Sequence, residues 1–534
     1  MPVPARVPPS ILDKIVAQRR IDVAAAMAAV PEAELRARIA SRAPANDFRA
    51  TLRAAAPLAV LAEFKKASPS KGDIAAGLDA PRQALAYALA GACTISVLTE
   101  PTWFKGSLAD LENVRSALEG ATLSPGVCAL RKDFLIDEYM LLEARAHGAD
   151  TALLIVAILT PEELVRLMAA SRALGMEPLV EVNTEAEMQI ALDAGAAVIG
   201  VNNRNLHTFE VDMGTTGRLA AMIPEHADVQ LLALSGVATR QDALDLAATG
   251  ACGVLVGESL MRAPSPGALV RSLLGQPPPA ALCKVCGVRD PESARVAAES
   301  GADLLGMIFA PSKRRVTEAE AQAIVAAVRT ARPRSAGWKL PANPPVSPSE
   351  RDADGGTDAA RWLDVSQGLL ALGARCGGPL TVGVFVNATA DEMNATAERV
   401  GLDLIQLHGA EGWAMASQLN RPAIRVVHMD DTVNAADVCA QLQGGLASAV
   451  LLDSKGGGTG TTFNWAVGCE VHAQVPFILA GGLTPLNVEE AVRQVRPWCV
   501  DVSSGIETDG VKDHEKIRAF VSAGRSGLSD GAQA

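Results

Sequence analysis

Short apolar runs that end in polar or glycine residues, each followed by a longer stretch of helical character, alternate along this sequence with great regularity. No other feature narrows its fold as far. The first runs are LAVLAEFK (58–65), TISVLTE (94–100), VCALRKDF (127–134), TALLIVAIL (151–159), EPLVEVN (177–183), AVIGVNN (197–203), VQLLALSG (229–236) and GVLVGESL (253–260). Between them, stretches such as EYMLLEARAHGAD and TEAEMQIALDAGA carry apolar residues at helical spacing and a Gly where a helix would stop. Eight strand–helix repeats predict a closed parallel barrel. The segment GQPPPAA (275–281) reads as a linker. After it the pattern restarts with LCKVCG (282–287), LLGMIFA (304–310), TVGVFVN (381–387), LIQLHG (404–409), AIRVVH (423–428), AVLLDS (449–454), PFILAGG (476–482) and CVDVSSG (499–505).

The expected fold is therefore α/β: two consecutive (β/α)8 TIM barrels over residues 1–274 and 282–534, the first preceded by extra N-terminal helices. The length of 534 residues fits two barrels of about 250 each. Between the second and third strands of the second barrel lies a stretch at about 332–358 rich in Pro, Ser, Asp and Gly. It is expected to be a disordered surface insertion, with a short helix following at 359–375.

A net charge of −12 argues against a nucleic-acid partner, which would need many phosphates neutralised. No apolar stretch approaches the ~18 residues needed to span a membrane. VAAAMAAV (23–30), with Asp22 before it and Pro31-Glu32 after it, reads as a helix that ends at the proline rather than a signal sequence. Nine scattered cysteines predict no disulfide framework and a reducing, cytoplasmic setting. Cys283 and Cys286 form a CxxC without a second pair, so no metal site is expected.

The strands are apolar until their last residues, where chemistry-capable side chains gather. In the first half these are Glu63, Lys65, Glu100, Lys132, Asp133, Glu181, Asn202, Asn203, Arg204 and Ser235; in the second, Cys286, Arg314, Gln406, His408, Asp453, Asp501, Ser503 and Ser504. Barrel active sites are built at that end of the sheet. Strands seven and eight of the first half end in Ser235-Gly236 and Gly257-Glu258. The matching ends in the second are Gly481-Gly482 and Ser503-Ser504-Gly505, with a Gly-rich KGGGTG (455–460, including Gly457 and Gly458) after strand six. Glycines there let backbone N–H groups approach a phosphate.

These residues carry a resemblance. The first half resembles indole-3-glycerol-phosphate synthases through EFKKASPSKG, SVLTE, LRKDF, EVN, GVNNRNL and GESLM, and the second resembles phosphoribosylanthranilate isomerases through KVCG, PSKRR, VGVFVN, QLHG, LLDSKGGGTG, LAGGL and DVSSGIE. The wording is closest to the fused fungal-type enzymes. The resemblance implies two successive steps of tryptophan biosynthesis on small phosphorylated substrates, with neither a metal nor an organic cofactor. Fused members commonly carry a glutamine amidotransferase domain in front, and none is expected within these 534 residues. An amidotransferase/anthranilate synthase component is the partner this suggests.

For the isomerase half, family matching implies Asp453 as acid and Cys286 as base, acting as a thiolate, with Arg314 contacting substrate. His408, Gly457, Gly458, Gly481, Gly482, Asp501, Ser503 and Ser504 would complete the binding site, although His408 also fits a satisfied polar residue of the mouth. For the synthase half it implies Lys132 as acid, Glu181 as its acid/base partner, Lys65 meeting the substrate carboxylate or phosphate, and Glu63, Asn202 and Arg204 orienting the reacting chain. Asn202 and Arg204 could equally tie loops together. Ser68, Phe104, Ser235, Gly236, Gly257 and Glu258 would bind substrate. Lys66, alternating away from the mouth, is expected to be solvated, and Lys71 to ride a mobile loop over the site. Leu234 stands where many synthases have Glu. A chain with one active barrel, the other serving as scaffold for an amidotransferase, is the alternative reading.

Overall fold

Every apolar run becomes a barrel strand. In the structure, a computed structural model that describes residues 10–74, 78–121, 123, 126–206, 208–334, 338–340, 359–430, 432–443, 446–454 and 464–526, the first barrel comprises β1 (Ala59–Phe64), β2 (Thr94–Leu98), β3 (Cys128–Lys132), β4 (Thr151–Ile155), β5 (Leu179–Val182), β6 (Val198–Asn202), β7 (Gln230–Leu234) and β8 (Gly253–Val256). All pairings are parallel, and β1 closes on β8 with Ala59 opposite Gly253. The second barrel comprises β9 (Leu282–Cys286), β10 (Leu304–Ile308), β11 (Leu380–Phe385), β12 (Leu404–Leu407), β13 (Ala423–Met429), β14 (Ala449–Ser454), β15 (Ile478–Leu479) and β16 (Cys499–Val502). It closes with Lys284 of β9 opposite Asp501 of β16. The chain divides into the units Met1–Pro277 and Pro278–Ala534, one barrel in each.

Strands covered on both faces explain why these runs read as continuous apolar stretches rather than alternating ones. In the first barrel every strand residue is buried except Lys132. Leu61, Leu130, Leu153, Leu179, Leu232 and Leu255 share one apolar cluster there. In the second, Leu304, Val382, Leu404, Ile424, Leu451 and Ile478 do the same. Most helices that follow strands begin with side-chain caps; Thr160 with Glu163 and Thr389 with Glu392 form reciprocal capping boxes.

Three helices precede the first barrel: α1 (Ile11–Ala29), α2 (Glu32–Ala40) and α3 (Phe48–Ala54). α1 stops before Pro31, as the sequence reading expects. α3 lies at the strand starts, where Arg49 donates to the Asp228 carbonyl (2.9 Å) and Cys128 to Thr51 Oγ1 (3.4 Å). α1 reaches the strand ends, where Arg19 donates to Asp133 (3.0 Å) just beyond β3.

Most of the insertion expected at 332–358 lies outside the described residues. Two residues near its start are packed: Arg334 pairs with Asp403 at 2.6 Å and stacks on the Trp338 ring at 3.7 Å. The following helix is longer than the sequence reading expects, Ala359–Gly377. Among the described residues no helix is long and apolar enough to cross a membrane.

Candidate active sites

The C-terminal ends of β1–β8 open into one cavity of about 380 Å³. Glu63, Lys65, Ser68, Phe104, Lys132, Glu181, Asn202, Arg204, Ser235, Gly236, Gly257 and Glu258 all line it. Glu63, Lys132, Glu181 and Leu234 stand on β1, β3, β5 and β7, the alternate strands that supply one layer of a barrel interior. Three of the four positions carry charge; the fourth, Leu234, is a buried apolar wall.

Lys132 Nζ donates to Glu181 Oε2 at 3.4 Å, and Asn202 Nδ2 donates to Glu181 Oε1 at 2.9 Å. Asn202 Oδ1 in turn accepts the Arg204 backbone N–H (3.0 Å), so Asn202 both orients the carboxylate and ties the loop after β6. Lys65 Nζ donates to Glu63 Oε1 at 2.8 Å. Burial pushes the Glu63 carboxyl up, but Lys65 and Lys132 outweigh it and hold the group below its ordinary value. Burial works against the Lys132 ammonium, yet Glu181 and Glu63 prevail and raise its pKa. Lys132 is therefore a charged, partly shielded ammonium at the cavity floor. Gly257 leaves room for the Glu63 carboxylate: a Cβ there would lie 2.4 Å from Glu63 Oε1. Ser235, with φ +67, is a non-glycine residue held in the left-handed region beside Gly236 at φ +90. Such strain gathers at ligand clamps.

Three strand-end residues do other work. Glu100 accepts the backbone N–H groups of Thr102, Trp103 and Phe104 and fixes the turn that brings Phe104 to the cavity. Asp133 accepts from Arg19, Arg131 and Thr99 in a buried network. Asn203 binds Thr216 and the Ser235 carbonyl. Lys66 does point away from the mouth, but it is not solvated as expected: Asp110 accepts from it at 2.9 Å through both oxygens. Lys71 is half exposed, 3.8 Å from Glu258.

In the second barrel Cys286, Asp453, His408 and Asp501 come together at the strand ends, with Lys284 behind them. Lys284 is fully buried and donates to Asp501 at 3.0 Å. His408 Nε2 lies 3.9 Å from Asp453 Oδ2, and the His428 ring meets that of His408 edge-on at 5.1 Å. Burial first, and Asp501 second, push Asp453 up to about 6; burial and neighbouring His428 bring His408 down to about 4. Burial raises the pKa of Cys286 above the ordinary thiol value, against the opposing pull of Lys284.

Arg314 forms a bidentate pair with Glu507, Nε at 2.6 Å and Nη2 at 2.9 Å, and Lys512 Nζ donates to Glu507 (3.1 Å) and to the Ser503 carbonyl (2.8 Å). Burial raises Glu507, but Arg314 and Lys512 prevail and bring it down to about 2. Gly481 and Gly482, at φ +84 and +66, turn the chain directly after β15 as only glycine does freely. Ser504 opens a short helical turn after β16. Gly457 and Gly458 lie outside the described residues. Gln406 Oε1, His408 Nδ1, Ser454 Oγ and Ser503 Oγ are buried and find no partner among the described residues.

Sequence reasoning missed His428, Glu507 and Lys512. DVSSGIE contained Glu507, but its role depends on Arg314, far along the chain.

Comparison with known proteins agrees with this division. The family model for indole-3-glycerol phosphate synthase matches residues 12–273, and that for N-(5'-phosphoribosyl)anthranilate isomerase matches residues 362–523. The chain is 45% identical to the multifunctional tryptophan biosynthesis protein of Phycomyces blakesleeanus, with 97% of this chain and 69% of that protein covered. It is 43% identical to the tryptophan biosynthesis protein TRP1 of Phytophthora nicotianae, with 97% of each covered. Half of the chain is 45% identical to the indole-3-glycerol phosphate synthase of a Roseiflexus species, covering 98% of it.

Proposed function

The chain belongs to the fused tryptophan-biosynthesis family that joins an indole-3-glycerol-phosphate synthase to a phosphoribosylanthranilate isomerase, and from that premise we propose how its residues divide two consecutive reactions. The second barrel isomerises N-(5-phosphoribosyl)anthranilate to 1-(2-carboxyphenylamino)-1-deoxyribulose 5-phosphate. The first closes that ketose onto its ring, releasing carbon dioxide and water, to give indole-3-glycerol phosphate.

In the isomerase site Asp453 donates a proton to the furanose oxygen and opens the sugar. Cys286, once ionised, removes the proton from sugar C2. The Lys284 ammonium, paired with Asp501, favours the ionised sulfur. Arg314 and Lys512, gathered by Glu507, and the glycines after β15 are suited to the anionic groups of the substrate.

In the synthase site Lys132 protonates the ketose oxygen as the ring carbon attacks, and loss of the carboxylate restores the aromatic ring. Glu181, oriented by Asn202, exchanges the proton needed for dehydration. Lys65 and Arg204 face the substrate's anions, and Glu63 holds Lys65 in place. The observation that carries the reading is the Lys132–Glu181–Asn202 chain at the floor of a cavity whose rim holds Lys65 and Arg204.

An amidotransferase component is the proposed macromolecular partner, supported by the extent of the Phycomyces protein beyond the matched region. The proposed setting is the cytoplasm, supported by cysteines that are all free among the described residues.

The test is a coupled assay on the purified chain. With phosphoribosylanthranilate supplied, its fluorescence should fall and indole absorbance should rise. Fluorescence loss without indole would remove the synthase assignment, with Leu234 the first residue to revert to Glu. No reaction in either step, even with the ketose supplied directly, would favour the scaffold alternative.

A further inference from the structure

In the cavity of the first barrel one carboxylate, Glu258, takes no part in the proton transfers of ring closure. Glu258 is surrounded by three cations: Arg262 Nη2 at 3.3 Å, Lys71 Nζ at 3.8 Å and Arg204 Nη2 at 3.9 Å. Lys71 comes from the hairpin after β1, Arg204 from the end of β6 and Arg262 from the helix after β8, so three separate parts of the mouth direct positive charge at one carboxylate. Charge-assisted hydrogen bonds run about 2.7–2.9 Å. These contacts are all longer, and the side chains retain exposures of 45% for Lys71, 26% for Arg204, 59% for Arg262 and 32% for Glu258. Glu258 is held by charge but not locked. It lines the cavity together with Ser235, Gly236 and Gly257, at the ends of strands seven and eight where barrels of this kind take phosphate.

A carboxylate is the wrong group to touch a phosphate dianion and a suitable group to stand in for one. We propose that Glu258 is an internal counter-anion that sits at the phosphate subsite of the synthase barrel and is displaced when the phosphate of the ketose arrives. The inference rests on the ring-closing role of the first barrel. The exchange favours a dianion, which gains more from three cations than a single carboxylate does, over singly charged anions. Glu258 thereby acts as a positioning and specificity-determining residue: it keeps Lys71, Arg204 and Arg262 assembled, and it raises the threshold that a competing ion must pass.

The experiment uses the full chain with the ketose supplied directly, and reads inorganic phosphate as a competitive inhibitor of ring closure, because the isomerase barrel also takes a phosphorylated substrate. In E258Q, phosphate should inhibit about tenfold more tightly, the effect of removing one charge a few ångström from the anion. KM for the ketose should fall with it, and chloride should compete better than in the wild type. E258S removes the same charge with a different side chain and should agree, while E258D should restore the wild-type constants. Unchanged or weaker phosphate inhibition in both E258Q and E258S would overturn the proposal. Wild-type ring closure, measured alongside, separates the two failures: its absence would sink the synthase assignment, whereas its presence with unmoved phosphate constants would sink the counter-anion alone.

Discussion

Lys132 Nζ and Glu181 Oε2 meet at 3.4 Å from β3 and β5, strands that are not neighbours but both point into the same barrel interior. The pair is closed off from solvent on the Glu181 side, which is 2% exposed. Lys132→Met should lower ring closure by at least about a hundredfold, the ordinary share of a positioned proton donor. The isomerase step should be untouched. Ring closure within a factor of ten of the wild type, followed by indole absorbance, would take the acid role away from Lys132.

The isomerase pH profile follows from two opposed groups. Asp453 is pushed up to about 6 by burial and Asp501, and burial holds Cys286 above the ordinary thiol value. Activity needs Asp453 protonated and Cys286 ionised. Between the two pKa values, what is lost by deprotonating Asp453 is balanced by what is gained in thiolate. So kcat/KM should rise with pH to about 6, stay level, and fall only above the thiol's pKa. A profile that declines from pH 6 upward would mean that Cys286 is already a thiolate in the free enzyme.

Gly306 of β10 backs the sulfur of Cys286: a Cβ added there would lie 2.7 Å from Sγ. Gly306→Ala should displace the sulfur and cost the isomerase roughly ten- to a hundredfold in kcat/KM, as small misplacements of reacting groups do. Ring closure from supplied ketose serves as the internal control. An isomerase that tolerates the methyl group would argue that the base sits elsewhere.

Asp133 neutralises two arginines, Arg19 from α1 and Arg131 from β3, in a buried network. Asp133→Ala leaves both without it and should destabilise the first barrel by about 3–5 kcal/mol. Denaturant unfolding followed in the N-terminal unit reads this. Burial raises the Asp133 carboxyl, but Arg131 and Arg19 prevail and depress it below its ordinary value. Its contribution is therefore full above the unfolded-state pKa, about 3.9, and is lost as pH falls through the lower folded value. A loss under about 1 kcal/mol at neutral pH would show that α1 is held by its apolar residues alone.

The strands were readable because a strand covered on both faces has to be apolar along its length, and the polar residue that ends it marks the mouth. That is why Glu63, Lys132 and Glu181 could be singled out from sequence and prove to share a cavity. Pairings were not readable. Lys284 and Asp501 are 217 residues apart, and Arg314 and Glu507 are 193 apart; nothing local in either motif names its partner. Lys66 shows the same limit. Alternation correctly turns it away from the mouth, but only the folded chain brings Asp110 to it. The burial that raises the pKa of Cys286 against the pull of Lys284 is likewise a product of the folded chain and not visible in the motif.

Each barrel closes on its own strands within its own unit, and both units belong to one polypeptide. Translation therefore delivers the two activities in equal number, whatever the level of expression. A cell with separate enzymes can set the pool of the ketose intermediate by changing the ratio of their amounts. Here that ratio is fixed at one, and only the turnover of each site can tune how much intermediate accumulates between them.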